Sequence, residues 1–486
     1  MPHEEIRVRI APSPTGYLHL GTVRTAFFNY LFAKKEGGKF VIRIEDTDQG
    51  RSLPVYEQDI LEGLKILNVS WDEGPDIGGP YGPYRQSERT ELYTAHIQKL
   101  LDEKRAYYCF CSKEELESER QAMLAQGLFP KYSGKCRSLS AQDIEAKKNE
   151  GNEGVIRMVV PGGSTIEFHD LIRGKVSVQS DTLGDMVIAR SLTSPLYNLA
   201  VVVDDFTMNI SHVIRGEDHI SNTPKQILIQ RALGFPEPIY AHLPLILAPD
   251  RSKLSKRSLE TSFIEYIHDG FLPEAILNFL VLMGWHPEGD DEIMDITTMI
   301  KKFNIKKVQK AGAVFSMDKL EWFNAHYIKT MPLENLMKRM TPFIPEAWIQ
   351  QKEMVKKILA IERERMKKLS DFKELAAFFF TLDAYDAPLL RWQDIPFETV
   401  LRHLRETREL LAPLDEASFT DMALLEQIVM PMAEKEGRGE VLWPLRVALS
   451  GKRNSPGPFE IMNVLGKEES LRRIDAACAT IPHNTV

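Results

Sequence analysis

Cysteine is scarce in this chain: four in 486 residues, at positions 109, 111, 136 and 478. That is far too few for a disulfide scaffold at this length. Long apolar runs are missing as well. The longest, Phe271 to Trp285, is interrupted by Pro273, Glu274 and Asn278 and falls short of a bilayer span, so no membrane helix is expected. The opening MPHEEIRVRI lacks the basic start, apolar stretch and small-residue cleavage site of a secretory signal, and a cytoplasmic protein is expected. A surplus of positive charge is absent too: 61 Lys and Arg stand against 69 Asp and Glu, a formal net charge of -8. That balance argues against a general nucleic-acid coat protein, whose binding rests on many phosphate contacts. It leaves open a protein that grips one RNA through local basic patches. Neither a repeat of fixed period nor a low-complexity tract occurs.

What the chain does have is enough length for about three domains and a globular composition, 43% hydrophobic and 27% charged. Ile6, Val8 and Ile10 alternate with Arg7 and Arg9, the pattern of a half-buried strand. From Leu20 the period changes: Leu20, Val23, Phe27, Tyr30 and Leu31 recur at helical spacing until Gly37-Gly38, and Phe40 to Ile44 reads as a second strand. Strand, helix and strand make a crossover unit of a parallel sheet. The loops at the carboxyl ends of such strands carry the active site. APSPTG and Glu45-Asp46-Thr47-Asp48 lie there. Between Cys109 and Pro195 short strand-like runs and a helix starting at a capping box, Ser112 to Glu115, read as an insertion. The sheet is expected to resume with a strand at Leu199 to Val203 and another at Val213-Ile214. After residue 257 the pattern is almost wholly helical, as in Leu333, Leu336, Met337 and Met340.

Two stretches point to phosphate chemistry. His19 and Gly21 stand at the start of the first helix, where unsatisfied N–H groups and a partial positive charge suit an anion. A histidine in that place is also an ordinary helix cap. Some 230 residues on, RSKLSKR puts four cations into seven positions, 251 to 257, which on its own reads as a solvated basic patch.

Together, HLGT after a first strand and the downstream KLSKR resemble the paired signatures of class I aminoacyl-tRNA synthetases. The chain more closely resembles the bacterial glutamyl-tRNA synthetases, through APSPTGYLHLGT, VIRIEDTD, GPYRQSER, LYNLAVVVDD, VIRGEDHISNTPKQ, KLSKR and GFLPEAILNFLVLMGW, in family order. The resemblance implies an α/β fold: a Rossmann-like parallel-sheet catalytic domain with an α+β insertion, followed by an all-α C-terminal anticodon-binding region. Its boundaries would be 1–108 and 195–257 for the catalytic domain, 109–194 for an inserted acceptor-end-binding domain, 258–330 for a helical stem-contact domain and 331–486 for the anticodon-binding region. It implies ATP-dependent attachment of L-glutamate to tRNA(Glu), with tRNA(Gln) left open, through a glutamyl-adenylate, with tRNA needed for activation, in a monomer. His19, Gly21, Thr22, Lys253, Ser255 and Lys256 would hold ATP with its Mg²⁺, and His19, Lys253 and Lys256 would stabilise charge moving onto the leaving pyrophosphate. Arg9, helped by Ser13, would meet the substrate's side-chain carboxylate. Glu45 would hold its ammonium, and Tyr197 and Arg215 would complete the pocket. Out of context Glu45 is equally an ion-pair residue and Tyr197 a core aromatic.

In the helical half, Arg363, Arg365, Arg446, Lys452 and Arg453 are the tRNA-binding candidates, against the alternative of solvated helix faces. A glutaminyl enzyme would be expected to carry a β-barrel there, and a truncated glutamyl-queuosine type would lack these 230 residues. Some relatives bind zinc through C-x-C and, about 24 residues later, C-x-H. Here Cys109, Cys111 and Cys136 keep that spacing while Ser138 replaces the histidine. Tyr132 offers a substitute donor, as in the queuosine enzymes. A zinc site and three thiols that pack without metal both stand open.

Overall fold

The computed structural model describes residues 5–128, 130–252 and 262–482. The chain divides into two compact units, Met1–His268 with Pro273–Leu320, and Asp269–Leu272 with Glu321–Val486.

The first unit starts with β1 (Arg7–Ile10), α1 (Leu20–Glu36) and β2 (Lys39–Ile42), the two strands parallel with Ile10 opposite Ile42. Gly37 ends α1 in the left-handed region at φ 67°, its N–H bonded to the Ala33 carbonyl, a conformation glycine adopts without a Cβ penalty. The strand His212–Gly216 lies along the other edge of β1, where Ser211 N–H donates to the Arg7 carbonyl at 3.0 Å, and it pairs in parallel with Ile239–Leu243. Val8, Phe27, Leu31, Phe40, Val41 and Ile214 are fully buried around this layer. At roughly 1.5 to 3 kcal/mol for each large side chain, such burial is the main force holding the strands in place.

Two features differ from expectation. β1 is not half-buried: all four residues are inside, and Arg7 and Arg9 are each 3% exposed. The residues Leu199 to Val203 are helical, within Tyr197–Thr207, rather than a strand. A short continuous apolar run suits a buried helix as well as a buried strand, so periodicity cannot separate them. Among the described residues after 257 the chain is almost wholly helical, as expected, with one short strand, Ala313–Val314, pairing in parallel with Ile246–Leu247.

Within 109–194 the described elements join two sheets. Val155–Met158 and Val187–Ser191 form an antiparallel sheet with Ala106–Cys109. The hairpin Thr165–Asp170 and Gly174–Gln179 instead joins the central layer, with Asp170 opposite Tyr240. The expected capping box is present: Glu115 N–H donates to Ser112 Oγ at the start of helix Lys113–Ala125.

The second unit is helical, including Leu333–Met340, Lys352–Glu362, Asp371–Phe380, Phe397–Leu411, Met422–Glu436, Arg438–Ser450 and Pro458–Thr480. Leu336 and Met340, one turn apart, are both buried, and so are Leu425 and Val429.

Candidate active site

The loop after β1 delivers His19 to the N-cap of α1. Its imidazole accepts from Thr22 N–H at 3.3 Å and lies 3.2 Å from Thr22 Oγ1. The cap reading therefore holds, and the exposed ring at the helix start is compatible with an anion there as well. Gly21 sits close beside it: a Cβ there would stand 3.1 Å from His19 Nδ1, so the ring would have to shift slightly. Glu45 follows β2 and is drawn to this loop by its N–H, which donates to the Pro12 carbonyl at 3.0 Å. Ser13, the next residue, is exposed.

Beneath the loops runs a buried ionic network. Arg9 donates from Nε and Nη2 to the two oxygens of Asp205 at 3.0 and 3.2 Å. Arg43 donates to the same carboxylate at 2.7 Å and to Glu45 Oε1 at 3.0 Å. Burial raises an acid's pKa, but Arg9 and Arg43 together outweigh it at Asp205 and hold that carboxyl below the ordinary range. At Glu45 burial prevails over the same two arginines and pushes the carboxyl up. Asp204, next along the helix, anchors the network from below by accepting from Arg89 Nε at 2.7 Å, Gln86 at 2.8 Å and Tyr93 at 3.0 Å. Because Arg9 gives Nε and Nη2 to Asp205, its Nη1 is the group left to face a ligand.

A second guanidinium is held similarly. Arg215 Nη2 donates to Thr223 Oγ1 and Gln226 Oε1, both at 2.8 Å, and its Nε donates to His242 Nε2 at 3.2 Å. Its Nη1 is buried and has no acceptor. Since His242 Nε2 accepts, its proton sits on Nδ1, which donates to Asp170 at 2.6 Å. Burial, reinforced by the Arg215 charge, lowers the His242 pKa and keeps the ring neutral. Tyr197 OH lies 3.0 Å from His219 Nδ1. Burial and then Arg215 lower His219 to about 4, while Tyr197, raised chiefly by burial, feels the charges of Glu45, Arg215, Arg9 and Asp205. Arg9, Glu45, Tyr197 and Arg215 are therefore brought together, with two arginine nitrogens unspent and the buried Glu45 carboxylate, held by Arg43, beside them. That arrangement can take a small molecule bearing anionic and ammonium groups.

Lys253, Ser255 and Lys256 lie outside the described residues. In the second unit, Arg363 spends its guanidinium on the carbonyls of Lys329 and Met331, at the end of a helix. Arg365 pairs with the fully buried Glu362 at 2.8 Å, and the charges of Arg446 and Lys452 reach this pair. Arg446 donates to the Arg453 carbonyl and covers the Trp443 ring, and Lys452 donates to the Glu374 carbonyl. Arg453 is exposed.

The three cysteines converge. The Sγ atoms of Cys109, Cys111 and Cys136 lie within 4.8 Å of one another, and Cys111 is 3.6 Å from Cys136. Tyr132 Oη stands 3.4 Å from both Cys109 and Cys111. Tetrahedral zinc with bonds near 2.3 Å needs sulfurs about 3.8 Å apart, so the spacing of the three thiols suits that ion, and the Tyr132 hydroxyl lies beside them. Ser138 is exposed at the end of the short turn Lys135–Ser138.

Sequence reasoning missed Arg43, Asp204, Asp205, His219 and His242. The pair Asp204-Asp205 closing an apolar run was the available signal, because acids carried inward by a hydrophobic segment must find cations.

The catalytic-domain family described as tRNA synthetases class I (E and Q) matches residues 5–322, and an anticodon binding domain matches 335–478. Among relatives, the glutamate–tRNA ligase 2 of Caldicellulosiruptor saccharolyticus is 44% identical over 481 residues, covering 97% of this chain and 98% of that protein. The glutamate–tRNA ligase of Carboxydothermus hydrogenoformans is 44% identical over 485 residues, covering 96% and 99%. The crystallised glutamate tRNA ligase from Elizabethkingia meningosepticum, in complex with its amino acid, superimposes with a TM-score of 0.88 at 36% identity over 99% of this chain and 100% of that one. With a family model matching residues 5–322 and relatives 44% identical over nearly their whole length, the chain belongs to the class I tRNA synthetases of the E and Q type.

Proposed function

We propose that the protein is a glutamate–tRNA ligase that joins L-glutamate to tRNA(Glu) by way of a glutamyl-adenylate. The observation that carries this is the pair of guanidiniums, Arg9 and Arg215, each tied down by protein acceptors except at one Nη1. Two fixed positive charges, each offering one remaining nitrogen, prefer a carboxylate to a neutral amide, which favours glutamate over glutamine. Glu45, beside them, receives the α-ammonium.

Glutamate's α-carboxylate attacks the α-phosphate of ATP, which arrives with its Mg²⁺, and pyrophosphate leaves. The ribose hydroxyl of the terminal tRNA adenosine then takes the glutamyl group. His19 and Thr22, on the first turn of α1, steady the phosphates, and Lys253 and Lys256 follow the charge onto pyrophosphate. Alignment and charge stabilisation do the work, and no protein nucleophile is needed. On this reading 109–194 receives the acceptor end, 258–330 touches the stem and 331–486 reads the anticodon of a tRNA bound by a cytoplasmic monomer. Arg365, Arg446, Lys452 and Arg453 are the candidates for that last task. Zinc held by Cys109, Cys111, Tyr132 and Cys136 would close a structural site and brace the inserted region.

Charging purified tRNA(Glu) and tRNA(Gln) with labelled glutamate or glutamine tests the reading. Glutamate on tRNA(Glu) is expected, and pyrophosphate exchange only when tRNA is present. Glutamine transfer would overturn the substrate assignment.

A further inference from the structure

His219 and Tyr197 join two elements that carry pocket residues. Tyr197 opens the helix Tyr197–Thr207, which also bears Asp205, and His219 ends the turn Glu217–His219 after the strand bearing Arg215. The Tyr197 hydroxyl lies 3.0 Å from His219 Nδ1, and the rings stand 5.7 Å apart at 44°, so the contact is a hydrogen bond and not a stack. The backbone role of His219 does not call for an imidazole. Its carbonyl accepts from Asn222 N–H at 3.0 Å and from Thr223 Oγ1 at 3.3 Å, contacts open to any residue. Among the described residues, the Tyr197 hydroxyl is the one hydrogen-bond partner of the ring.

With its pKa lowered to about 4, first by burial and then by Arg215, His219 is neutral and has one donor and one acceptor nitrogen. Tyr197 keeps its proton, because burial and then the charge of Glu45 raise its pKa. A phenol has one proton to give and lone pairs with which to receive. Once that proton is committed to an imidazole nitrogen, the hydroxyl presents only an acceptor to whatever else approaches it. An acceptor beside the negative charge of Glu45 suits a cationic group and disfavours a carboxylate. We infer that His219 is a positioning residue for the amino-acid substrate: its Nδ1 takes the Tyr197 proton, and the phenol oxygen is left to accept from the substrate's α-ammonium alongside Glu45. This rests on the ligase reading.

Charging by the full-length protein is measured at saturating tRNA(Glu) and ATP with glutamate varied. His219→Leu is expected to raise KM for glutamate about three- to tenfold, with a smaller effect on kcat. His219→Asn, whose Oδ1 stands near the place of Nδ1, should return KM to within about twofold of the wild type. Adding His219→Leu to Tyr197→Phe should change KM by less than about twofold, because the partner is already gone. Glutarate, which has both carboxylates and no ammonium, fixes the direction of the bond. As a competitive inhibitor it should bind His219→Leu as it binds the wild type. Equal weakening of glutarate and glutamate would mean that Tyr197 donates to a carboxylate, and full additivity with Tyr197→Phe would mean that His219 acts through the fold alone. Either result, or an unchanged KM in His219→Leu, overturns this inference while the ligase reading stands. A wild type that transfers no glutamate sinks both.

Discussion

Arg9 and Asp205 meet through two hydrogen bonds, at 3.0 and 3.2 Å, although 196 residues separate them in the chain. Asp205 thereby fixes the plane of the Arg9 guanidinium, and on the proposed function it decides which nitrogen is left for the substrate. It is a positioning residue that touches no substrate itself. Asp205→Asn should raise KM for glutamate roughly ten- to a hundredfold, the worth of a hydrogen bond to a charged group, with a smaller effect on kcat. Steady-state charging with glutamate varied would show it. An unchanged KM would mean that Arg9 orients itself without Asp205.

Lys256→Ala should slow adenylate formation by roughly a hundred- to a thousandfold, the loss of about 3 to 4 kcal/mol of transition-state contact. tRNA affinity should barely change. Near-normal pyrophosphate exchange in this variant would reduce the KLSKR stretch to a surface patch.

Protein purified without chelator should contain close to one zinc per chain, and Tyr132→Phe should lower that occupancy while leaving the three thiols in place. Elemental analysis of both proteins decides the matter. Fully active wild type without metal would leave Cys109, Cys111 and Cys136 as packed thiols, and equal zinc in both proteins would remove Tyr132 as a ligand.

Glu362 is fully buried, and burial pushes its carboxyl up to about 7 against the partial compensation of Arg365. The folded protein therefore keeps a proton that the unfolded chain releases near pH 4.5. The stability this group contributes is complete below that pH and is lost as pH rises through about 7, with an upper bound of about 3 kcal/mol. Urea unfolding measured from pH 5 to 8 should show the decline in the wild type and a flatter profile in Glu362→Gln. Identical profiles would contradict it.

The first crossover unit was readable because its signals are local: alternation, a period of 3.6 and a glycine stop. His19 at the helix start was legible for the same reason. The partners of the site residues were not. Arg7 and Arg9 look like a solvent face in IRVRIA because a strand pattern records polarity and cannot record that Glu73 and Asp205 arrive from elsewhere. Leu199 to Val203 misled in the opposite way, since an apolar run buried on all sides carries no period. Arg363 and Arg365 look equivalent in IERERMKK, yet one caps a helix end and the other answers a buried acid.

The hairpin that contains Asp170 joins the central sheet, and Asp170 fixes the proton of His242, which in turn receives Arg215. Arg215 therefore takes its bearing partly from a segment whose other strands build a different sheet. Exchanging residues 109–194 for the corresponding stretch of a distant relative would therefore change the surroundings of Arg215 as well. Unless the newcomer carried an acid in the place of Asp170, the imidazole could reverse its tautomer and turn an N–H toward Arg215, and the chimera would lose its grip on the amino acid while every residue lining the pocket stayed the same.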